Sequence, residues 1–169
     1  MMSRLRRWVL LGALGLVATV AHAQAAGELG STVQWRDVQL LDGRTLRAEE
    51  LRDSAVVVQI WASWCPFCGA QNPHIQALYE TQKARGLTVL AFSIDRTEQA
   101  AKDYLAKRGY TFNVAMRNAD VDHWFGRNRS VPETYVVDPS GKIVFVQRGE
   151  MFPEDIAALS RFARQSKRP

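Results

Sequence analysis

Apolar residues run from Val56 to Trp61 with Gln59 the one polar interruption, and a second such segment spans Thr88 to Ile94. Runs of this kind predict strands covered on both faces. Between them the spacing changes. Ile75, Leu78, Tyr79 and Gln82 recur at helical intervals on one face, and Gly86 supplies a stop. Asp95 followed by Glu98 predicts the start of another helix, closed near Gly109. Asp120 to Phe125 predicts a short helix ended by Gly126. Thr134 to Val137 and Lys142 to Gln147 follow as strands joined by the turn Asp138-Pro139-Ser140-Gly141. Ile156, Leu159, Phe162 and Ala163 mark a final amphipathic helix. Upstream, Val38 to Leu46 holds Asp42-Gly43 between apolar flanks, a hairpin signal, and Ala48 to Arg52 forms a helical turn. Interleaved strands and helices closed by an antiparallel pair predict an α/β sandwich around a mixed central sheet.

The first residues follow a different pattern. Arg4, Arg6 and Arg7 precede an apolar run from Trp8 to Val20, and Ala21-His22-Ala23 places small residues where a signal peptidase reads. This is the three-part pattern of an export signal, with cleavage after Ala23. The alternative, an uncleaved inner-membrane anchor with the domain in the periplasm, needs about 20 apolar residues, more than this run offers. The expected organisation is a signal peptide over 1–23, a flexible leader of small and polar residues over 24–34, and one domain over 35–169. Loss of the signal removes three arginines, so the formal charge of +5 falls to +2, with 19 basic against 17 acidic residues. No basic face interleaved with aromatics is present, so nucleic acid is not an expected partner. Arg164, Lys167 and Arg168 belong to a solvated tail.

The chain has two cysteines, Cys65 and Cys68, separated only by Pro66 and Phe67. A disulfide closing so small a loop removes little entropy from the unfolded chain and is a poor staple. The pair makes sense as a bond that opens and closes. A strand running directly into a helix puts Cys65 at the helix N-terminus, where unpaired N–H groups and the dipole favour a thiolate. Pro66 fits the first turn, where its missing N–H costs nothing. Cys68 lies one turn on and is expected to be the more buried. Cys65 is then the exchanging sulfur and Cys68 the resolving one. A zinc site would need four ligands. There is no second cysteine pair, and His74 and His123 are the only histidines past the signal, so no metal or cofactor is expected.

The segment Trp61-Ala62-Ser63-Trp64-Cys65-Pro66-Phe67-Cys68 resembles the active-site segment of thioredoxin-like proteins. Val131-Pro132-Glu133-Thr134 resembles their cis-proline loop. The hairpin around Leu41-Asp42-Gly43-Arg44-Thr45-Leu46 and the additional αβ segment between Thr88 and Arg129 resemble the TlpA/ResA branch, over roughly Trp35 to Ala163. The resemblance implies a thioredoxin-like fold and a periplasmic thiol–disulfide oxidoreductase. Its partners would be thiols and disulfides of exported proteins together with a membrane redox partner, with roles in cytochrome c maturation or copper-centre assembly. It further implies that Val131 and a cis Pro132 face Cys65 and offer strand-like hydrogen bonds to an extended substrate. Trp64 would form a wall of the docking surface beside Pro66, and Phe67 either a docking contact or packing.

Three departures from the family pattern matter. Gln59 stands where many thioredoxins carry a buried acid, and Gln71 where ResA-like proteins carry a glutamate. Neutral glutamine cannot move protons, and the resemblance makes Glu133, beside Pro132, the nearest carboxylate, expected either as the proton acceptor for Cys68 or as an exposed turn residue. The dipeptide Pro66-Phe67 looks more like that of Dsb-type oxidants and isomerases, which leaves the direction of electron flow open. A Cu(I) chaperone is the alternative from another class, since soft thiolates suit that ion. It would need Met116, Met151 and His123 to converge on the cysteines. A peroxidase would carry a threonine–cysteine pattern that is missing here. Arg127 and Arg129 are expected in a solvated loop.

Overall fold

The computed structural model describes residues 25–127 and 130–165. A two-stranded hairpin, β1 (Val38–Gln39) and β2 (Thr45–Leu46), is followed by the short helix α1 (Ala48–Asp53). Strand β3 (Ala55–Trp61) leads into α2 (Pro66–Gln82), β4 (Leu87–Ser93), α3 (Glu98–Arg108), β5 (Asn113–Met116) and α4 (Ala119–Phe125). The chain closes with β6 (Glu133–Val137), β7 (Ile143–Arg148), α5 (Pro153–Ala158) and a 3-10 turn, Leu159–Gln165. The amphipathic run expected as one last helix is therefore split between two helix types.

The main sheet has the order β5-β4-β3-β6-β7. Strands β3, β4 and β5 are parallel, and β6 and β7 join antiparallel. Every residue of β3 is buried, as its unbroken apolar run requires of a central strand. Its side chains alternate between two layers. Val57 and Trp61 pack with Ile75 and Leu78 of α2, Ala101 of α3 and Ile156 of α5. Val56, Val58 and Ile60 pack with Leu51 of α1 and with Val121, Trp124 and Phe125 of α4. Each aliphatic side chain so buried contributes about 1.5–3 kcal/mol. Helices cover both faces, which is the expected α/β sandwich, and α3 and β5 form the additional segment, with β5 at the sheet edge.

Residues 25–34 are part of the packed domain, not the flexible leader expected over 24–34. Gly27 N–H donates to the Trp124 carbonyl at 3.0 Å, Gly30 N–H to Ile143 at 2.8 Å and Val33 N–H to Gly141 at 2.7 Å. Thr32 bridges Lys142 in antiparallel register. Such bonds net about 1 kcal/mol each, no more than the ordering of one residue costs. Burial of Val33 and Trp35 in the second layer tips the balance. A composition of small and polar residues hides this, because the pairing uses backbone groups.

A second difference concerns α3. Thr97, not Asp95, caps it, with its hydroxyl accepting from Ala100 N–H at 3.3 Å. Asp95 turns inward. The expected signal segment 1–23, Arg129 and the basic residues Lys167 and Arg168 lie outside the described residues. Among the described residues, no helix is long and apolar enough to cross a membrane.

Gly27 has φ +74°, and a Cβ there would collide with the Phe125 carbonyl oxygen. Gly27→Ala should therefore lower stability by about 1–3 kcal/mol, read as a lower urea midpoint. An unchanged midpoint would mean that this segment does not hold to α4.

Candidate active site

Trp61 ends β3, and only Ala62, Ser63 and Trp64 separate it from Cys65, which caps α2 in extended conformation with φ −86° and ψ 118°. The cap is a sulfur. Cys68 N–H donates to Cys65 Sγ at 3.2 Å, and Pro66 occupies the first helical position. The first turn carries no acidic side chain to compete for the helix field. Both cysteines are free thiols. Cys65 is 4% exposed and Cys68 wholly buried. Burial pushes the Cys68 thiol well above the ordinary cysteine range, and the Cys65 sulfur beside it adds to the effect.

The second wall is the loop before β6. The Val131–Pro132 peptide bond is cis. The Cys65 thiol donates to the Val131 carbonyl at 3.5 Å. Pro132 is buried and accepts from Gly149 N–H at 2.8 Å, which ties the loop to the end of β7. Around this junction Trp64 is 63% and Phe67 57% exposed, whereas Trp61 is buried in the core. The result is a nearly covered sulfur beside a backbone carbonyl, next to exposed aromatic surface.

Glu133 does not serve as expected. In the β3–β6 register it lies opposite Ile60, and residues opposite each other share a face. Ile60 faces the layer of Trp35 and Phe125, and Cys68 belongs to the other layer. The carboxylate accepts from Tyr135 hydroxyl at 2.7 Å and lies 3.8 Å from Arg148 Nε. It is thus turned away from Cys68 by the sheet itself, and the role of proton acceptor is corrected on that ground. The next residue, Thr134, faces the cysteine layer, where Gln71 donates to its hydroxyl at 3.2 Å. Gln71 also accepts from Met151 N–H at 2.9 Å, so it links α2, β6 and the turn before α5. Gln59 donates to Asn72 at 3.1 Å, and Asn72 donates to Tyr104 hydroxyl at 3.4 Å. The two glutamines hold elements together on the face where acids were sought.

The remaining candidates separate. Met151 is buried among the residues packed with both cysteines, and Met116 is partly buried against them. His123 is exposed on α4, whose buried residues pack into the opposite layer, so these three do not converge. Among the described residues, no group of three or more His, Cys, Asp or Glu side chains is placed to hold a metal. His74 is half-buried on α2. Arg127 is exposed, 3.5 Å from Asp122. The residue that sequence reasoning missed is Asp95. Its carboxylate accepts from Ser63 N–H at 3.1 Å, Ser63 hydroxyl at 2.8 Å and Ser93 hydroxyl at 2.7 Å. Its spacing to Glu98 suggested a cap, and nothing in the sequence paired it with Ser63.

The profile of the AhpC/TSA family matches residues 30–146. The chain belongs to this family. Within it, the chain is similar to the thiol-disulfide oxidoreductase ResA of Geobacillus thermodenitrificans (strain NG80-2), with 28% identity over 151 residues, 88% of this chain and 86% of that protein. Among solved structures it is similar to a thiol:disulfide interchange protein of the thioredoxin family from Chlorobium tepidum TLS. The TM-score is 0.69 at 21% identity, covering 83% of this chain and 99% of that one. It is also similar to StoA from Bacillus subtilis, with TM-score 0.65 at 16% identity over 78% of this chain and 98% of that one. The fold is thioredoxin-like, and this member of the family is a thiol–disulfide oxidoreductase of the ResA type.

The register of Glu133 makes a prediction opposite to that of the sequence. Glu133→Gln should leave the exchange rate within about twofold and cost about 1 kcal/mol of stability, because a neutral amide oxygen accepts from the Tyr135 hydroxyl less strongly than the carboxylate. Stopped-flow exchange with a disulfide-bonded test protein measures the first, and urea unfolding the second. A tenfold slower exchange would restore the proton-transfer role.

Proposed function

We propose that Cys65 is the exchanging sulfur and Cys68 the resolving one, that the enzyme exchanges disulfides with exported proteins in the periplasm, and that the direction is reduction, which the resemblance to the TlpA/ResA branch suggests. The observation that carries the reading is the Cys65 sulfur, capping α2 and bonded to Val131, with Cys68 buried one turn below. In the first step the Cys65 thiolate attacks one sulfur of the partner's disulfide. A Cys65–partner disulfide forms, and the partner's other sulfur leaves as a thiolate. In the second step Cys68 gives up its proton and attacks Cys65 Sγ. The Cys65–Cys68 disulfide forms, and the partner leaves with its second thiol. Two electrons have passed to the partner, and a membrane redox partner supplies two more to reduce the Cys65–Cys68 disulfide.

Trp64, Pro66, Phe67, Val131 and Pro132 form the docking surface. An extended cysteine-bearing segment lies along the Val131 backbone in the manner of an added strand, with Trp64 and Phe67 covering its apolar side chains. Apocytochromes and copper proteins are the partner class that the resemblance to the TlpA/ResA branch suggests. The signal pattern over residues 1–23 supports export.

A potential below about −250 mV against glutathione is expected for this reductant, and one near about −120 mV would make the enzyme an oxidant instead. Cys65→Ser should abolish exchange, and Cys68→Ser should accumulate the mixed disulfide on non-reducing gels. Because the Cys68 thiol holds its proton to higher pH than a free cysteine, the resolving step should speed up about tenfold per pH unit between about pH 6 and 8. A resolving rate that is flat across that range would remove Cys68 from the second step.

A further inference from the structure

Asp95 is a buried carboxylate that accepts from neutral donors, the Ser63 N–H and hydroxyl and the Ser93 hydroxyl. Burial of a charge is costly unless fixed dipoles compensate it, so this arrangement calls for a use. Capping α3 is not that use, because Thr97 caps it. Nor does Asp95 extend the sheet, since the β3–β4 ladder continues through Ile94 N–H to the Trp61 carbonyl at 2.9 Å. Its bonds instead converge on the three-residue loop that delivers Cys65.

We propose that Asp95 is the positioning residue for Cys65. One carboxylate takes both donors of Ser63, two residues before the cysteine. The same carboxylate is fixed from behind by Ser93 at the end of β4, and Asp95 N–H returns a bond to the Ser93 hydroxyl at 3.0 Å. Ser63 is thus tied to a fully buried residue of the central sheet. A loop of three residues anchored at its middle has little freedom left, and its far end is the sulfur that must sit 3.2 Å from Cys68 N and 3.5 Å from the Val131 carbonyl oxygen. Asp95 touches neither sulfur nor substrate in this scheme. It acts through Ser63, by holding the exchanging sulfur in the helix field and under the docking strand.

The inference rests on the exchange reading above, and the test separates the two. Attack on oxidised glutathione and the equilibrium constant of the couple with glutathione are measured for the parent protein, Asp95→Ala and Asp95→Asn. Asp95→Ala frees the loop and should slow attack by about tenfold, since small misplacements of reacting atoms have effects of this size. It should also shift the equilibrium constant about threefold or more toward the disulfide, because the reduced sulfur loses its held position beside the Cys68 N–H. Asp95→Asn keeps an acceptor for Ser63 and should restore both to within about twofold. Should Asp95→Ala fail to fold, Ser63→Ala removes one of the three donors and should slow attack by about threefold. An equilibrium constant and rate equal to the parent's, with only a lower unfolding midpoint, would reduce Asp95 to a stabilising residue and overturn the proposal. So would an Asp95→Asn shift as large as that of Asp95→Ala, which would point to charge and not position. An inert parent protein would instead refute the exchange reading itself.

Discussion

A helix that begins directly after a strand leaves its first N–H groups pointing back at the connecting loop, and in α2 that loop ends on Cys65. Pro66 removes one of those donors, and none of the side chains of Pro66, Phe67 and Cys68 carries an oxygen to accept another. The sulfur of Cys65 takes the Cys68 N–H in the position where a serine or aspartate oxygen ordinarily caps a helix. One interaction therefore closes the helix and holds the Cys65 sulfur in place. The same geometry sends Cys68 fully into the core, while Cys65 stays at the helix start beside the Val131 carbonyl.

The sheet separates two kinds of polar chemistry. On the cysteine side, Gln59, Asn72, Tyr104, Gln71 and Thr134 form neutral hydrogen bonds that tie α2 to β3, α3 and β6. On the other side, Glu133 is held by Tyr135 and Arg148. A strand turns successive side chains to opposite faces, so Glu133 and Thr134 cannot both serve the same layer. This neutral face is the side on which Cys68 lies, its thiol raised by burial.

Rigidity around the Cys65 sulfur comes from three directions. Asp95 fixes the loop before it, α2 the chain after it, and the Pro132 loop the surface opposite. The last is itself pinned by Gly149 at the end of β7. Trp64 and Phe67 are left exposed on this frame, and aromatic surface of that kind suits an extended apolar chain with little side-chain entropy lost on binding.

Much of this was legible in the sequence, because local rules determine it. The buried run of β3, the helical period of α2, the Asp42-Gly43 turn and the close spacing of the two cysteines each depend on neighbours within a few residues. So does the placing of Cys65 at a helix start. What only the tertiary structure decided depends on pairing between distant segments. The β3–β6 register turned Glu133 away from Cys68, a matter of one residue that no local pattern encodes. The backbone bonds of residues 25–34 to Trp124, Ile143 and Gly141 ordered a segment whose composition suggested freedom. Asp95 was drawn from a helix start to Ser63 because β3 and β4 end side by side. Sequence periodicity says which face a residue takes within its own element, and only the packing of elements says what that face meets.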